Sequence, residues 1–418
     1  MQIDKKMSTG RCGESAATES VARLGKIGIR SEVGQLRRVV LHRPGRELDR
    51  IVPENRDSQL FDDVPWLEAA QAEHDNFRSI LEIRGVEVVE LRDLMENSLT
   101  YEDTIQAWTD LSISSGIHGT RVHGQVREYL TQLSPFDMCE ILLSGLTQEE
   151  FDLARGTVPD HLVDLAQHYV VDPLPNAVFV RDSGTWVDTT LVGTRFASGV
   201  RRREAQYVSH AWQRAGARTL RSGAEPGPAV EGGDVLVAGN GCVLIGVSCR
   251  TSAAGATELA RELLTQGQAG SVLLIRLPEA RSTMHLDTVM TMVDWDTFLV
   301  SGEHVASLAG FRVRLDRAGG VALTAVDDLF GELACLLGVP VVRQVSAAGD
   351  VFTRRREQWA DGANVLAIRP GVVVAYDRNR FFNDALEKAG IEVLTLPSGE
   401  LARGRGGPHC MSCPVLRD

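Results

Sequence analysis

One order of strand and helix signals recurs along this chain. Residues 234–277 read as DVLVA, a Gly-Asn-Gly turn, CVLIGV, the run TSAAGATELARELLTQG, then SVLLIRL. β-branched residues dominate the outer segments and leucines fall at helical spacing between them, which predicts strand, turn, strand, helix, strand. Residues 364–396 repeat that order: NVLAI, a Pro370-Gly371 turn, VVVAYD, RNRFFNDALEKAG and IEVLTL. Three weaker copies run from LRRVVLHR to VEVVEL, from AVFVRD to EAQYVSHAWQRAG, and from TVMTMVD through FLVSG and DDLFGELACLLG to VPVVRQV. Five ββαβ units suit an α/β ring with inner strands converging on one axis. A doubly wound sheet also alternates strand and helix, so the pattern alone leaves both architectures open.

Residues 94–166 break the repeat. TYEDTIQAW, HGQVREYLTQL and LTQEEFDLARG carry helical patterns with polar caps, which predicts a helical insertion between the first and second units. That leaves 28–93 and 167–418 as the α/β part. Residues 1–27 are rich in Ser, Gly and Thr and lack the apolar core of a secretory signal, and so read as a disordered leader.

Composition narrows the function classes. With 43% hydrophobic and 24% charged residues and no long apolar run, a membrane-spanning chain is excluded. A net charge of −12 argues against a nucleic-acid partner and favours a small cationic one. Seven cysteines, few and odd in number, argue against a disulfide framework and for a reducing, cytoplasmic setting. Whether copies associate stays open.

Four polar groups fall at turns or strand ends of the repeat: Asn176 to Asp182, Glu231-Gly232-Gly233-Asp234, His285 with Asp287, and His409-Cys410. Each has an ordinary explanation. Asp182 beside Arg181 suits a surface ion pair, Gly232 and Gly233 suit a turn with positive φ, and His285 and Asp287 could satisfy each other. Cys410 and Cys413 with His409 invite a zinc or redox reading. No second ligand pair accompanies them, and Pro414 follows Cys413 directly where a redox pair would open a helix. Cys410 is then a nucleophile or a buried thiol. Arg403, Arg405 and the glycine-rich loop favour a thiolate, whereas carboxylates at 182, 231, 234 and 287 oppose one. Both fit one pocket if the substrate is itself a cation, such as a planar guanidinium gripped by two carboxylates.

LPNAVFVRD, EGGDVLVAGNG, MHLDTVMTMVD, REQWADGANVLAIRPGVVVAYDRN and GRGRGGPHCMSCPVLRD together resemble the bacterial arginine deiminases. These belong to the guanidino-group-modifying superfamily, whose fold is a five-bladed α/β propeller. The resemblance runs from about residue 28 to 418. It implies hydrolysis of L-arginine to L-citrulline and ammonia without metal or organic cofactor. It further implies Cys410 as nucleophile, His285 as general acid and base, Glu231 as the partner orienting that histidine, and Asp182 and Asp287 as the grip on the guanidinium. Arg201, Arg250 and Arg405 match positions that bind the α-carboxylate, with Asn176 and Phe179 also lining the site. The rivals are an amidinotransferase, in which an amine replaces water, and a non-catalytic arginine-binding protein.

Overall fold

The computed structural model describes residues 24–113, 120–155, 169–220 and 227–418. In it the repeat emerges as five sheets built to one plan. In each, a central strand pairs antiparallel with one neighbour and parallel with another, and a helix makes the parallel crossover. The plan is plainest at the fifth repeat. There Val372–Tyr376 pairs antiparallel with Leu366–Arg369 and, across the helix Arg380–Lys388, parallel with Glu392–Leu396. The central VVVAY is buried throughout, as a continuous apolar run between two covered faces should be.

The same plan joins Gly184–Val187, Thr190–Gly193 and Arg218–Thr219 around the helix Arg202–Arg214. It joins Val235–Gly239, Cys242–Val247 and Ser271–Arg276 around Ala253–Thr265, a helix opened by the Ser252 hydroxyl accepting from Gly255 N–H. It joins Met290–Asp294, Thr297–Val300 and Arg343–Val345 around Leu329–Leu337. Helix leucines and strand residues share cores: Leu259 and Leu263 lie with Val243, Ile245 and Val272, and Leu329 and Leu333 with Phe298 and Val300.

The structure departs from the sequence reading in four places. AVFVRD is not a strand: Pro175–Val178 forms a 3₁₀ turn, and the sheet starts only at Gly184, because the segment between packs Phe179 against the loop of Gly404 and Gly406. A hairpin, Ala309–Leu315 with Val321–Val326, extends the third sheet. The first unit draws its antiparallel strand from the far end of the chain, where Cys413–Arg417 pairs with Leu36–Leu41, itself parallel to Glu87–Glu90 across the helix Leu67–Ile83. And Gly232 and Gly233 are not at positive φ. They are small because a Cβ on Gly232 would lie 2.0 Å from the Arg181 carbonyl oxygen and one on Gly233 2.7 Å from the His285 ring.

Between the first and second sheets the chain is helical over Leu91–Ser98, Glu102–Ser112, Thr120–Thr131, Pro135–Ser144 and Gln148–Ala154. The expected leader falls mostly on residues 1–23, outside the described residues; Leu24 is already buried, its N–H donating to the Ala215 carbonyl. No helix among the described residues is long and apolar enough to cross a membrane.

The terminal strand is fastened by a buried guanidinium. Arg417 donates to the carbonyls of Gly34 and Ala367, both at 2.8 Å. Arg417→Ala leaves two buried acceptors without donors, and is expected to lower unfolding stability in urea by about 2–4 kcal/mol.

Candidate active site

Each of the five sheets built to the common plan, though not the two-stranded pair of Leu146–Thr147 with Tyr169–Val171, contributes a polar residue from the turn just before its first antiparallel strand. Asp182 precedes Gly184–Val187, Glu231 precedes Val235–Gly239, His285 and Asp287 precede Met290–Asp294, Asn364 precedes Leu366–Arg369, and Cys410 precedes Cys413–Arg417. Contacts bring these turns together. His285 Nε2 lies 2.8 Å from Glu231 Oε2, and its Nδ1 lies 3.5 Å from Asp182 Oδ1. The Cys410 thiol donates to Asp287 Oδ2 at 3.5 Å. Asn364 clamps the cysteine from both ends: its amide donates to the sulfur at 3.1 Å, and its oxygen accepts from Cys410 N–H at 3.1 Å. All six residues are buried.

The loop that carries Cys410 is held along its length. Glu73, on the helix Leu67–Ile83, accepts from the N–H groups of Gly399, Glu400 and Leu401. Tyr376 donates its hydroxyl to the Gly406 carbonyl at 2.8 Å, and Arg181 N–H donates to the Cys410 carbonyl at 3.1 Å. The Phe179 ring lies flush on the loop: a Cβ on Gly406 would sit 2.3 Å from it. That approach, rather than access of backbone N–H groups to a reacting centre, is what Gly406 supplies.

The charges are set by burial and by close neighbours. Burial alone would lower the His285 pKa, but Asp182, Glu231 and Asp234 outweigh it and raise it to about 10. The ring therefore stands as an imidazolium between two carboxylates. Glu231 shows the complement: burial pushes it up, and the bond to His285, with Arg250 and Arg201 behind it, brings it below the usual range. Burial, then the charges of Asp287, Asp182 and Asp361, hold the Cys410 thiol well above its ordinary value, against the Asn364 donor. At rest the site is a neutral thiol and a charged imidazole.

The remaining expected residues take several places. Arg201 donates to Asp182 Oδ2 at 2.6 Å, to both oxygens of Glu204, and to the carbonyls of Asn176 and Phe179. It packs over the Phe196 ring at 4.2 Å, so here it fastens a carboxylate of the site. Asn176 donates to the Gln59 carbonyl. Arg250 Nη1 lies 3.9 Å from Glu231 Oε2. Arg405, at φ 62° and buried, stacks 3.9 Å over Trp359, and none of its three side-chain nitrogens has a hydrogen-bond partner. Asp361 lies 3.8 Å from it and also lacks partners; burial raises its carboxyl to about 6.

Three residues of the sequence reading lie off the site. Arg403 is spent on Asp63 and Glu400. Asp234 is a buried brace, accepting from Leu286 N–H and the Ser248 hydroxyl. Cys413 packs in the core with its thiol toward the Gly184 carbonyl. Asn364, Glu73 and Glu204 do not emerge from the sequence reading; Asn364 has a signal, since it opens NVLAI in a repeat whose first strand is given no polar residue. Ligand atoms of Asp182, Glu231 and His285 lie within 4.8 Å of one another, a spacing that a divalent ion could use. An ion there would have to displace the proton that both carboxylates hold on His285.

Two measurements test this electrostatic account. In ¹⁵N NMR of the imidazole, His285 is expected to remain protonated at pH 8, and Glu231→Gln to move its titration down by a unit or more. Because its folded pKa is raised, the stability His285 contributes is complete below about pH 6.5 and is lost as pH climbs toward 10.

The family model for arginine deiminase matches residues 57–417. The arginine deiminase of Rhodococcus erythropolis is 40% identical over 94% of this chain and 98% of its own. That of Mycobacterium avium is 41% identical over the same shares. Among solved structures, an amidinotransferase from Microseira wollei in saxitoxin biosynthesis superposes with a TM-score of 0.56, covering 94% of this chain and 97% of its own at 14% identity, a likeness of mixed α/β fold alone. By the extent of the family match and by identity at this coverage, the chain belongs to the arginine deiminase family.

Proposed function

We propose that the chain hydrolyses L-arginine to L-citrulline and ammonia, with Cys410 as nucleophile and His285 as acid and base. One observation carries the reading: Asp182 Oδ1 and Asp287 Oδ1 are buried without a hydrogen-bond partner, one next to the imidazolium and the other on the carboxylate that receives the thiol. Two such oxygens suit the paired N–H groups of a guanidinium. Its positive charge also offsets the carboxylates that hold the thiol neutral, so binding substrate favours the thiolate.

The chemistry then runs in two halves. As the substrate cation binds, Cys410 releases its thiol proton to solvent; Sγ then bonds to the guanidinium carbon, His285 gives its proton to the departing nitrogen as the carbon–nitrogen bond breaks, and ammonia leaves a thiouronium intermediate. His285, now neutral, takes a proton from water, whose oxygen attacks the same carbon; the carbon–sulfur bond breaks and citrulline is released. Glu231 orients the ring through both halves. Arg405, with its unpaired donors, and Arg250 suit the α-carboxylate. Arg201 joins them by exchanging contacts it now makes with Asp182 and Glu204. Asn176 and Phe179 wall the cavity. We also infer that the five sheets close as a five-bladed propeller, which accounts for five equivalent turns meeting at one site, and that residues 94–166 are an insertion into that ring.

Purified protein given L-arginine is expected to form citrulline and ammonia in equal amounts, and Cys410→Ala to form neither. Ornithine with an amidinated acceptor amine would make the chain a transferase instead. Asp287→Asn is expected to lower kcat/KM for arginine by about 100-fold or more while the protein stays folded.

A further inference from the structure

His409 stands next to the nucleophile and has no part in the steps above, yet it is as buried as Cys410. Its Nδ1 lies 2.8 Å from Asp287 Oδ2, the same oxygen that accepts the Cys410 thiol. Its Nε2 lies 3.3 Å from Glu32 Oε2. Glu32 is buried too, and is fixed on two sides: Oε1 accepts from Val237 N–H at 3.2 Å, and Oε2 lies 3.5 Å from Arg181 Nη2. Arg181 in turn donates to the Ser412 carbonyl, two residues past the nucleophile. The series Glu32, His409, Asp287, Cys410 thus runs from the first strand of the third sheet, Val235–Gly239, to the reacting sulfur without a gap.

The consequence is geometric. A buried carboxylate bonded at one oxygen cannot turn about its terminal torsion without breaking that bond, so His409 fixes which oxygen of Asp287 remains unpaired. That oxygen is Oδ1, one of the two assigned to the guanidinium. His409 and Cys410 share a peptide bond, so the ring that aims the carboxylate also ties its position to that of the sulfur.

We propose that His409, backed by Glu32, is a positioning residue that holds Asp287 so that one oxygen faces the thiol and the other the guanidinium of the substrate. This rests on the functional reading above and deepens it. An ion pair that served stability alone would lower the melting temperature and leave the kinetic constants of the folded fraction unchanged.

The test compares His409→Ala, His409→Asn and Glu32→Gln, each with its folded fraction measured. Asparagine keeps a donor near the place of Nδ1 and gives up the reach to Glu32. His409→Ala is expected to raise KM for arginine about tenfold and lower kcat as well, His409→Asn to recover most of that loss, and Glu32→Gln to raise KM about threefold. His409→Ala within twofold of wild type in both constants overturns the proposal. If that variant does not fold, Glu32→Gln decides, and an unchanged KM overturns it. Calorimetric binding of arginine in the Cys410→Ala background separates this proposal from the functional reading. If wild type fails to turn arginine over, the reading falls, and a tenfold loss of affinity on adding His409→Ala still supports the relay. Unchanged affinity, or no binding at all, overturns both.

Discussion

The pairing of Cys413–Arg417 with Leu36–Leu41 is the constraint on which the site depends. It completes a sheet whose other strands come from the opposite end of the described chain, and it sets Cys410 three residues before a buried strand. Arg417 below and Arg181 above attach this segment to Gly34, Ala367 and the Asp182 turn, so elements remote in sequence converge on one short stretch. Cys410, the residue proposed as nucleophile, sits in the loop that this pairing anchors. Here its backbone is held by Asn364, Arg181 and, through the preceding loop, Glu73.

Much of this was legible from residues. Repeats with long β-branched runs, such as CVLIGV and VVVAYD, announced strands buried on both faces, and the leucine spacing of ELARELL announced the crossover helix. AVFVRD failed because its apolar run looks like a strand, while its side chains are used in contacts with distant segments: Phe179 packs on the Cys410 loop, and Arg181 reaches Glu32. The 309–326 hairpin was missed although FRVRL alternates apolar and charged residues; only its second strand, VALTAV, is mostly exposed. The antiparallel partner of Leu36–Leu41 lies beyond the reach of local periodicity altogether, since nothing in a window of residues says that its neighbour is almost the whole chain away.

The site was legible by type and less so by contact. Acidic groups and a histidine at strand ends single out His285, Glu231, Asp182 and Asp287, and in the structure His285 lies against Glu231 and Asp182, and Asp287 against Cys410. The charge of Arg201 was visible, but not that Asp182 and Glu204 would absorb it. Glu32, Glu73 and Glu204 do not stand out in the sequence, because a carboxylate buried against backbone N–H groups or a distant arginine has no signature along it. The glycines misled in kind: Gly232 and Gly233 serve close approach to Arg181 and His285, not a left-handed turn.

In the mechanism proposed above, the charges that bind a guanidinium also act with burial to hold the resting thiol neutral, and this couples reactivity to substrate. Asp182, Asp287 and Asp361 all raise the Cys410 pKa, while His285 keeps its proton for a leaving group that is not yet present. On that proposal, a cation entering between Asp182 Oδ1 and Asp287 Oδ1 offsets the carboxylate part of the obstacle to ionisation, burial being the larger part, at the moment an electrophilic carbon reaches the sulfur. A neutral ureido group does neither. It cannot compensate the carboxylates, so the thiol returns to its resting state once the charge is gone, and the two buried oxygens lose the ionic part of their grip. Discrimination between substrate and product then needs no moving part: it follows from an anionic pocket that becomes reactive only while it is neutralised.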